Sequence, residues 1–364
     1  MSDFPRAHRV TIADVAREAG VSRTTVSHAL SGQGKVNAET RAKVKEVAER
    51  LNYRPSARAR SLRSGKSQTL ALLSSMPAAV SAGPSQLGFF TELAMGCART
   101  ALLEGYVFVL APPTGAANPV DLLDIDGAIL LEPTADDPLA EALRDRGIPY
   151  VAIDGPSASA GESAEAGAAR ASTAPTGADS KWSIDLHHRT TAGLLLDHLI
   201  DQGAKQPALL VSRSQRGAQI AAREVYAETA ATRGLTPLIA EADETSGEGG
   251  AFAATKELLA AHPEIDAVLA PIDTFSTGAV RAAQESGRVV GDDLLIATRY
   301  DGLRARTSNP PLTAVDLGLE AVSSAAVEML VNVLDGEHSS DAATSAGSSS
   351  PVLVVRESTT GNRG

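Results

Sequence analysis

The chain has 364 residues, of which 43% are hydrophobic and 21% charged, a length suited to two or three domains rather than one. No apolar run reaches the roughly 18 to 20 residues that span a bilayer, and charged residues interrupt the N-terminal region, so neither a membrane span nor a secretory leader is expected. Its one cysteine, Cys97, has no partner for an internal disulfide, which fits a reducing cytoplasm and a small buried helix residue. The net charge of −11 is unevenly divided: residues 1–66 hold fourteen Lys and Arg against six Asp and Glu, and the remainder nineteen against thirty-eight. A basic head on an acidic body suits a protein that grips a polyanion with one end only.

The head begins with a predicted helix over Thr11 to Ala19. Thr11 is a good N-cap, Asp14 completes a capping box, and Ile12, Val15, Ala16 and Ala19 recur on one apolar face. Gly20 can close that helix in a left-handed conformation, Val21 can plug the turn, and Ser22 can cap a second helix from Arg23 to Leu30. Val26, Ala29 and Leu30 serve its packing, whereas Arg23, Thr24, Thr25, Ser27 and His28 all carry hydrogen-bonding groups. Two short helices joined by a glycine turn, the second polar outside, match helix-turn-helix geometry. Asn37 caps a third helix to about Tyr53, with Val44, Val47, Ala48 and Leu51 inside.

Arg54-Pro55 breaks the third helix, and Ser56 to Gly65 is short, basic and helix-compatible. A helix that short is marginal in water, and its charges repel until an anion arrives. Composition leaves two readings open: a plain linker, or a segment that orders on DNA with Leu62 as an apolar wedge in the minor groove.

Beyond Ser67, short apolar runs recur at Leu70–Leu73, Tyr106–Ala111, Ala128–Leu131, Tyr150–Ile153, Ala208–Val211, Ala267–Ala270 and Leu294–Ala297. Amphipathic stretches such as Phe90–Leu103, Thr190–Asp201, Gln219–Arg233 and Ser276–Ser286 separate most of them, so the expected class is α/β with parallel sheets. Ligands in such folds sit beyond the carboxyl ends of the strands. There is no phosphate-binding glycine fingerprint, and no Cys/His cluster surrounds His187-His188, so neither a cofactor nor a metal is expected. No Ser-His-Asp or paired-carboxylate spacing suggests an enzyme, so no catalytic residue is named. Residues 155–180 and 338–350, rich in Ala, Gly and Ser, read as surface loops; Trp182 could anchor the first or cover a cleft.

The run Val10-Thr-Ile-Ala-Asp-Val-Ala-Arg-Glu-Ala-Gly-Val-Ser-Arg-Thr-Thr-Val-Ser-His-Ala-Leu-Ser-Gly32, with Asn52-Tyr53-Arg54-Pro55 and Ala59-Arg60-Ser61-Leu62, closely resembles the head of the lactose-repressor (LacI/GalR) family of transcription regulators. The resemblance implies that Arg23, Thr24 and His28 face base edges and that Thr11, Ser22, Thr25, Ser27 and Asn37 hold phosphates. It also implies that Ala59 lies in the minor groove and that Leu62 is the hinge wedge. Gly88-Phe89-Phe90, Asp273 with Gly278, Tyr300-Asp301, Pro311-Leu312-Thr313 and Leu353–Ser358 resemble the family's effector domain, which is similar to periplasmic sugar-binding proteins. By that resemblance Phe90, Arg223, Asp273 and Asp301 line a cleft between two lobes and bind a polyhydroxylated effector.

The implied organisation is a helix-turn-helix DNA-binding domain (1–54), a hinge helix (55–66) and an effector-binding and dimerisation domain (67–364), with an N-lobe of about 67–187 and 316–344 and a C-lobe of about 188–315 and 345–364. The implied function is a cytoplasmic repressor that binds a pseudo-palindromic double-stranded DNA operator as a homodimer and answers a small molecule, with a sugar the first expectation. The alternative is a solute-binding or sensor protein without DNA function. Three positions depart from the family pattern: Asp185-Leu186 replaces Asp-Asn, Arg299 replaces a glycine, and Leu317-Gly318 replaces Gln-Pro. With aromatics at only 3%, these departures leave open an altered effector or none.

Overall fold

The computed structural model describes residues 10–31, 34–54, 65–81, 88–111, 118–155, 182–336 and 350–361. The hinge residues Ala59 and Leu62 lie outside them, as do most of residues 155–180 and of 338–350. Backbone contacts divide the chain into two compact units, Met1–Ser67 and Gln68–Gly364.

The first unit contains α1 (Ile12–Ala19), α2 (Arg23–Ser31) and α3 (Ala38–Arg50). The expected capping box forms, with the Thr11 backbone N–H and hydroxyl both donating to Asp14 Oδ2, at 2.9 and 2.7 Å. Gly20 takes the left-handed conformation at φ 69°, which lets the Val21 N–H reach back to the Ala16 carbonyl at 3.0 Å and closes α1. Ser22 Oγ accepts from the Thr25 N–H at 3.0 Å and Asn37 Oδ1 from the Thr40 N–H at 2.7 Å, so α2 and α3 start where their caps predict. Val15, Ala16, Ala19, Val26, Ala29, Val44, Val47 and Ala48 form the buried core, with Ile12, Leu30 and Leu51 half-buried around it.

The second unit opens with β1 (Thr69–Ser74), α4 (Ala78–Ser81), α5 (Phe89–Leu103), β2 (Val107–Ala111), α6 (Pro119–Leu122), β3 (Gly127–Leu131), α7 (Pro138–Asp145), β4 (Tyr150–Ile153) and β5 (Ser183–Ile184). These five strands form one parallel sheet in the order β2-β1-β3-β4-β5. A second lobe follows: α8 (His188–Asp201), β6 (Pro207–Ser212), α9 (Gly217–Arg233), β7 (Ile239–Ala242), α10 (Gly247–Ala261), β8 (Ala267–Ala270), α11 (Asp273–Glu285), β9 (Leu295–Thr298) and α12 (Leu303–Thr307). Its sheet is also parallel, in the order β7-β6-β8-β9. The chain then runs through β10 (Ala314–Asp316), returns to pack α13 (Leu319–Leu334) on α5, β3 and β4 of the first lobe, and comes back through β11 (Val352–Val354), antiparallel to β10.

The near-continuous apolar strands follow from helices on both faces of each sheet. In β1, Leu70 and Leu72 join the core shared with α5 and α13, while Ala71 and Leu73 face α7. Trp182, the first described residue after the 155–180 segment, is buried in the shared core. Two long helices escaped the sequence reading. The Gly247–Ala261 helix begins with three glycines among its first four residues, and Leu319–Leu334 is apolar on most sides because it is packed on most sides.

Helices α10 and α11 touch at Gly278. A Cβ there would lie 2.7 Å from the Glu248 carbonyl oxygen and 2.8 Å from the Phe252 nitrogen, backbone atoms that cannot swing away. Gly278→Ala is expected to destabilise the second lobe by roughly 1–3 kcal/mol through overpacking, despite the better helix propensity of alanine. Urea unfolding of the two proteins checks this, and equal midpoints would contradict it.

Candidate DNA interface and effector cleft

In the head, Arg23, Thr24, Ser27 and His28 fall at helical spacing on the side of α2 opposite Val26 and Ala29. Arg23 and Thr24 are exposed, Ser27 and His28 half-buried. The His28 ring rests against Gly34, where a Cβ would come within 2.6 Å of Nδ1 and where φ is 76°, so only glycine lets the imidazole lie there. Thr11, Ser22 and Asn37 stand at the N-termini of the three helices, where free N–H groups and the helix dipole favour anions. Thr25, half-buried, holds its hydroxyl 2.8 Å from that of Ser22. The head thus offers one polar helix face and three anion-favouring helix ends.

In the second unit, the residues that follow the strands converge on a cleft of about 510 Å³, counting the part open to solvent. It is lined by Met76 after β1, Glu132 after β3, Arg216 and Gln219 at the start of α9, Glu244 after β7, Ile272 and Asp273 after β8, and Arg299 and Tyr300 after β9, with Phe89 and Phe90 from α5. Parallel strands dictate this arrangement, because their carboxyl ends all point the same way.

Two of the four effector residues expected from sequence reach this cleft. Phe90 and Asp273 line it. Arg223 does not: it lies about two turns farther along α9, donating to the Ser212 carbonyl at 2.8 Å and pairing with Glu241 at 2.7 Å. Asp301 is also absent from the lining; its Oδ1 meets Arg356 at 2.6 Å and its Oδ2 meets Arg306 at 3.3 Å. Arg216, Gln219, Arg299 and Tyr300 line the cleft beside Phe90 and Asp273.

The cleft's charges are buried and interlocked. Arg299 Nη2 lies 2.8 Å from Glu132 Oε1, its Nη1 is 3.3 Å from His188 Nδ1, and the guanidinium sits 5.0 Å from the centre of the Phe89 ring. His188 Nε2 is 2.6 Å from Asp154 Oδ2. Because an arginine N–H can only donate, His188 Nδ1 accepts and the proton belongs on Nε2, facing Asp154. Glu132, Asp154 and His188 bring three ligand-type atoms within 4.8 Å of one another, and Arg299 supplies the positive charge beside them. Arg216 donates to the Glu132 carbonyl and, at 3.3 Å, to Ser75 Oγ, while its Nε is 3.6 Å from Glu244. Glu244 in turn accepts from Ser212 Oγ at 2.9 Å and Ser214 Oγ at 2.6 Å. Tyr300 donates to Glu92 and packs edge-on to Phe89, centroids 5.3 Å apart.

These contacts are close but poorly aligned. Glu132 Oε1, Asp154 Oδ2, His188 Nε2 and Arg216 Nε lack a well-angled hydrogen bond despite their ion-pair distances, and Arg299 Nε has no hydrogen-bond partner among the described residues. Glu132 and Asp154 also hold positive φ, 44° and 55°, as does His187 at 56°. Non-glycine residues rarely adopt that region, and such positions cluster at functional sites.

Burial pushes the Glu132 carboxyl upward, but the neighbouring guanidinium charges, Arg299 foremost and Arg216 with it, outweigh it and hold the group below its ordinary value of 4.5. Burial drives Asp273 the other way, above 3.8, with Arg304 only partly opposing. Arg216 could not be singled out from sequence and Arg299 stands out there only as a departure from the family pattern, because their partners are 84 and 167 residues distant.

A family profile described as bacterial regulatory proteins of the lacI family matches residues 11–56, and a periplasmic binding protein-like domain matches residues 196–359. The chain belongs to the LacI family of bacterial regulatory proteins. It is a DNA-binding transcriptional regulator. Among LacI-family relatives it is 28% identical to the HTH-type transcriptional regulator CelR of Thermobifida fusca, over 91% of this chain and 94% of that one. It is 27% identical to catabolite control protein A of Staphylococcus xylosus, over 90% and 93%. Its fold matches a CelR–cellobiose complex with a TM-score of 0.64 at 26% identity, covering 96% of this chain and all of that one (100%). It also matches the lac repressor dimer bound to operator and the anti-inducer ONPF, at 0.71 and 22% identity, covering 96% and 99%.

Because the folded-state acidity of Glu132 is raised, its charge stabilises the fold above the ordinary glutamate value, and that contribution fades as pH falls through the depressed one. The stability gap between the parent and Glu132→Gln is therefore expected to be widest near neutral pH and to close on acidification below pH 4.5. Denaturant unfolding across that range checks the sign; a gap that widens in acid would contradict it.

Proposed function

We propose that this LacI-family chain is a repressor that binds a pseudo-palindromic operator as a homodimer and changes its operator affinity when a small molecule enters the charged cleft. The observation that carries the DNA half is the head: the outward side of α2 presents Arg23, Thr24, Ser27 and His28, while Thr11, Ser22 and Asn37 stand at helix N-termini. Arg23 suits forked donation to guanine, Thr24 and His28 give single contacts, and the helix ends with Thr25 and Ser27 suit phosphates, which fix register. Leu62 as wedge and Ala59 in the minor groove complete the reading from the sequence resemblance. A domain split at residues 54 and 66, with lobes meeting at the cleft, belongs to the same proposal.

The effector half rests on the cleft's position at the strand ends. The CelR structure is described as a complex with cellobiose, so a sugar is the first candidate. Phe90 and Asp273 remain its proposed contacts, joined by Gln219 and Tyr300. No helix of the described residues is long and apolar enough to cross a membrane. We place the protein in the cytoplasm, in keeping with its operator partner, and read it as a regulator and not an enzyme.

The homodimer has a surface to use. Met95, Leu102 and Leu103 of α5, Val107 of edge strand β2 and Leu122 of α6 are between 58% and 81% exposed. So many exposed apolar side chains in neighbouring elements mark an interaction surface. A Leu102→Asp, Leu103→Asp double variant is expected to sediment as a monomer where the parent is a dimer; an unchanged dimer would remove this face from the interface.

Selection from a random duplex pool at fixed salt tests the whole reading. The parent should enrich a palindrome, and Arg23→Ala should relax one position in each half-site, with a discrimination loss of about 1–3 kcal/mol. Binding that fades with salt but enriches nothing would show a head without sequence preference.

A further inference from the structure

The cleft's charges come from both lobes, and the second supplies the acids Glu244 and Asp273 as well as its cations. The first lobe brings Glu132 and Asp154, at the ends of β3 and β4; the second brings Arg216, His188 and Arg299, at the starts of α9 and α8 and the end of β9. Three of the second lobe's groups reach the first: Arg299 the Glu132 carboxylate at 2.8 Å, His188 Asp154 at 2.6 Å, and Arg216 the Glu132 carbonyl and, at 3.3 Å, Ser75, while Arg216 Nε also lies 3.6 Å from Glu244 of its own lobe. Tyr300 reaches across to Glu92 in the same way.

We propose that these pairs form a latch, with Arg299 as its bolt, that keeps the cleft shut in the absence of any small molecule. An effector then enters by breaking the chain's own ion pairs, so it opens the cleft instead of closing it. Three observations support this. Arg299 and Glu132 are both nearly inaccessible, at 9% and 3%, so removing either one leaves the other an uncompensated buried charge unless the lobes separate and admit water. Such a contact breaks as a unit. The atoms involved are close yet poorly aligned, so an entering molecule that offers better-aligned partners can displace them. Finally, Glu132 and Asp154 reach their partners from backbone conformations that side-chain-bearing residues rarely adopt. Packing alone does not ask for a guanidinium here: a residue that only filled the space over Phe89 could be apolar.

The latch stands on the cleft's geometry and not on the identity or existence of an effector, so its test needs none and its failure is separate from failure of the repressor reading. Spin labels placed at Ala135→Cys, in the loop after β3, and Thr307→Cys, at the end of α12, report the lobe-to-lobe distance in the full chain. Both sites are exposed, whereas Cys97 is buried with its thiol pushed up to about 12, so it stays unlabelled. Pulsed dipolar spectroscopy on labelled chain diluted into excess unlabelled chain, so that each dimer carries one labelled copy, should show one narrow distance in the parent without added small molecule. Arg299→Met, similar in length but uncharged, and Glu132→Gln should each shift the distribution to longer, broader distances. A distribution in Arg299→Met that matches the parent overturns the latch. Opening in Arg299→Met without opening in Glu132→Gln overturns it too, since the effect would then be packing. If Arg299→Met fails to fold by circular dichroism, Asp154→Asn breaks the neighbouring clasp, and an unchanged distance there overturns the proposal equally.

Discussion

A buried guanidinium needs a buried carboxylate, and in this chain the two come from different lobes. Arg299 leaves the end of β9 and meets Glu132 at the end of β3, between two parallel sheets whose carboxyl ends supply both residues. Either charge alone would cost several kcal/mol to keep from water. The pair therefore ties the spacing of the lobes to the state of the cleft. The neighbouring groups extend the same logic: His188 is oriented by Arg299 on one nitrogen and Asp154 on the other, and Arg216 reaches from α9 to the Glu132 carbonyl. A small molecule entering there meets a set of paired charges, and its affinity is set by what those pairs lose as well as by what it gains.

The head obeys a different constraint. Its core among the described residues is small, eight buried Val and Ala side chains, so caps do much of the work of defining three short helices. The same Thr11, Ser22 and Asn37 that close the helix ends also stand where a phosphate would be favoured, so stability and anion binding share residues. The division of charge between a basic head and an acidic body keeps the polyanion at one end of the chain.

Local rules made the head legible. The Thr11–Asp14 capping box, Gly20 at a positive φ and the apolar spacing of Val15, Ala19, Val26 and Val44 each act within a few residues, and all appear in the structure. The alternation of the body was legible for the same reason, except where composition hid a helix, as in the glycine-led Gly247–Ala261 and the all-round apolar Leu319–Leu334. The cleft was only half legible. Phe90 and Asp273 sit beside local landmarks, a glycine N-cap and a helix start, and reach the lining. Arg223 carries the right chemistry two turns from the helix end that faces the cleft, and Asp301 turns to Arg356, a partner 55 residues away. Arg299 was visible only as a departure from a family pattern. That it replaces a hydrogen with a guanidinium aimed at Glu132 is a fact of tertiary distance, which no local rule contains.

The central claim is that the head and the latched cleft are parts of one switch. The most direct measurement compares the parent with Glu132→Gln on the sequence each selects and on random duplex, at one salt concentration. The account predicts operator affinities that differ about five-fold or more, the low end of ordinary allosteric coupling, with binding to random duplex unchanged. Superimposable operator isotherms, from a variant that is folded and has an opened cleft, would show that the cleft does not speak to the head.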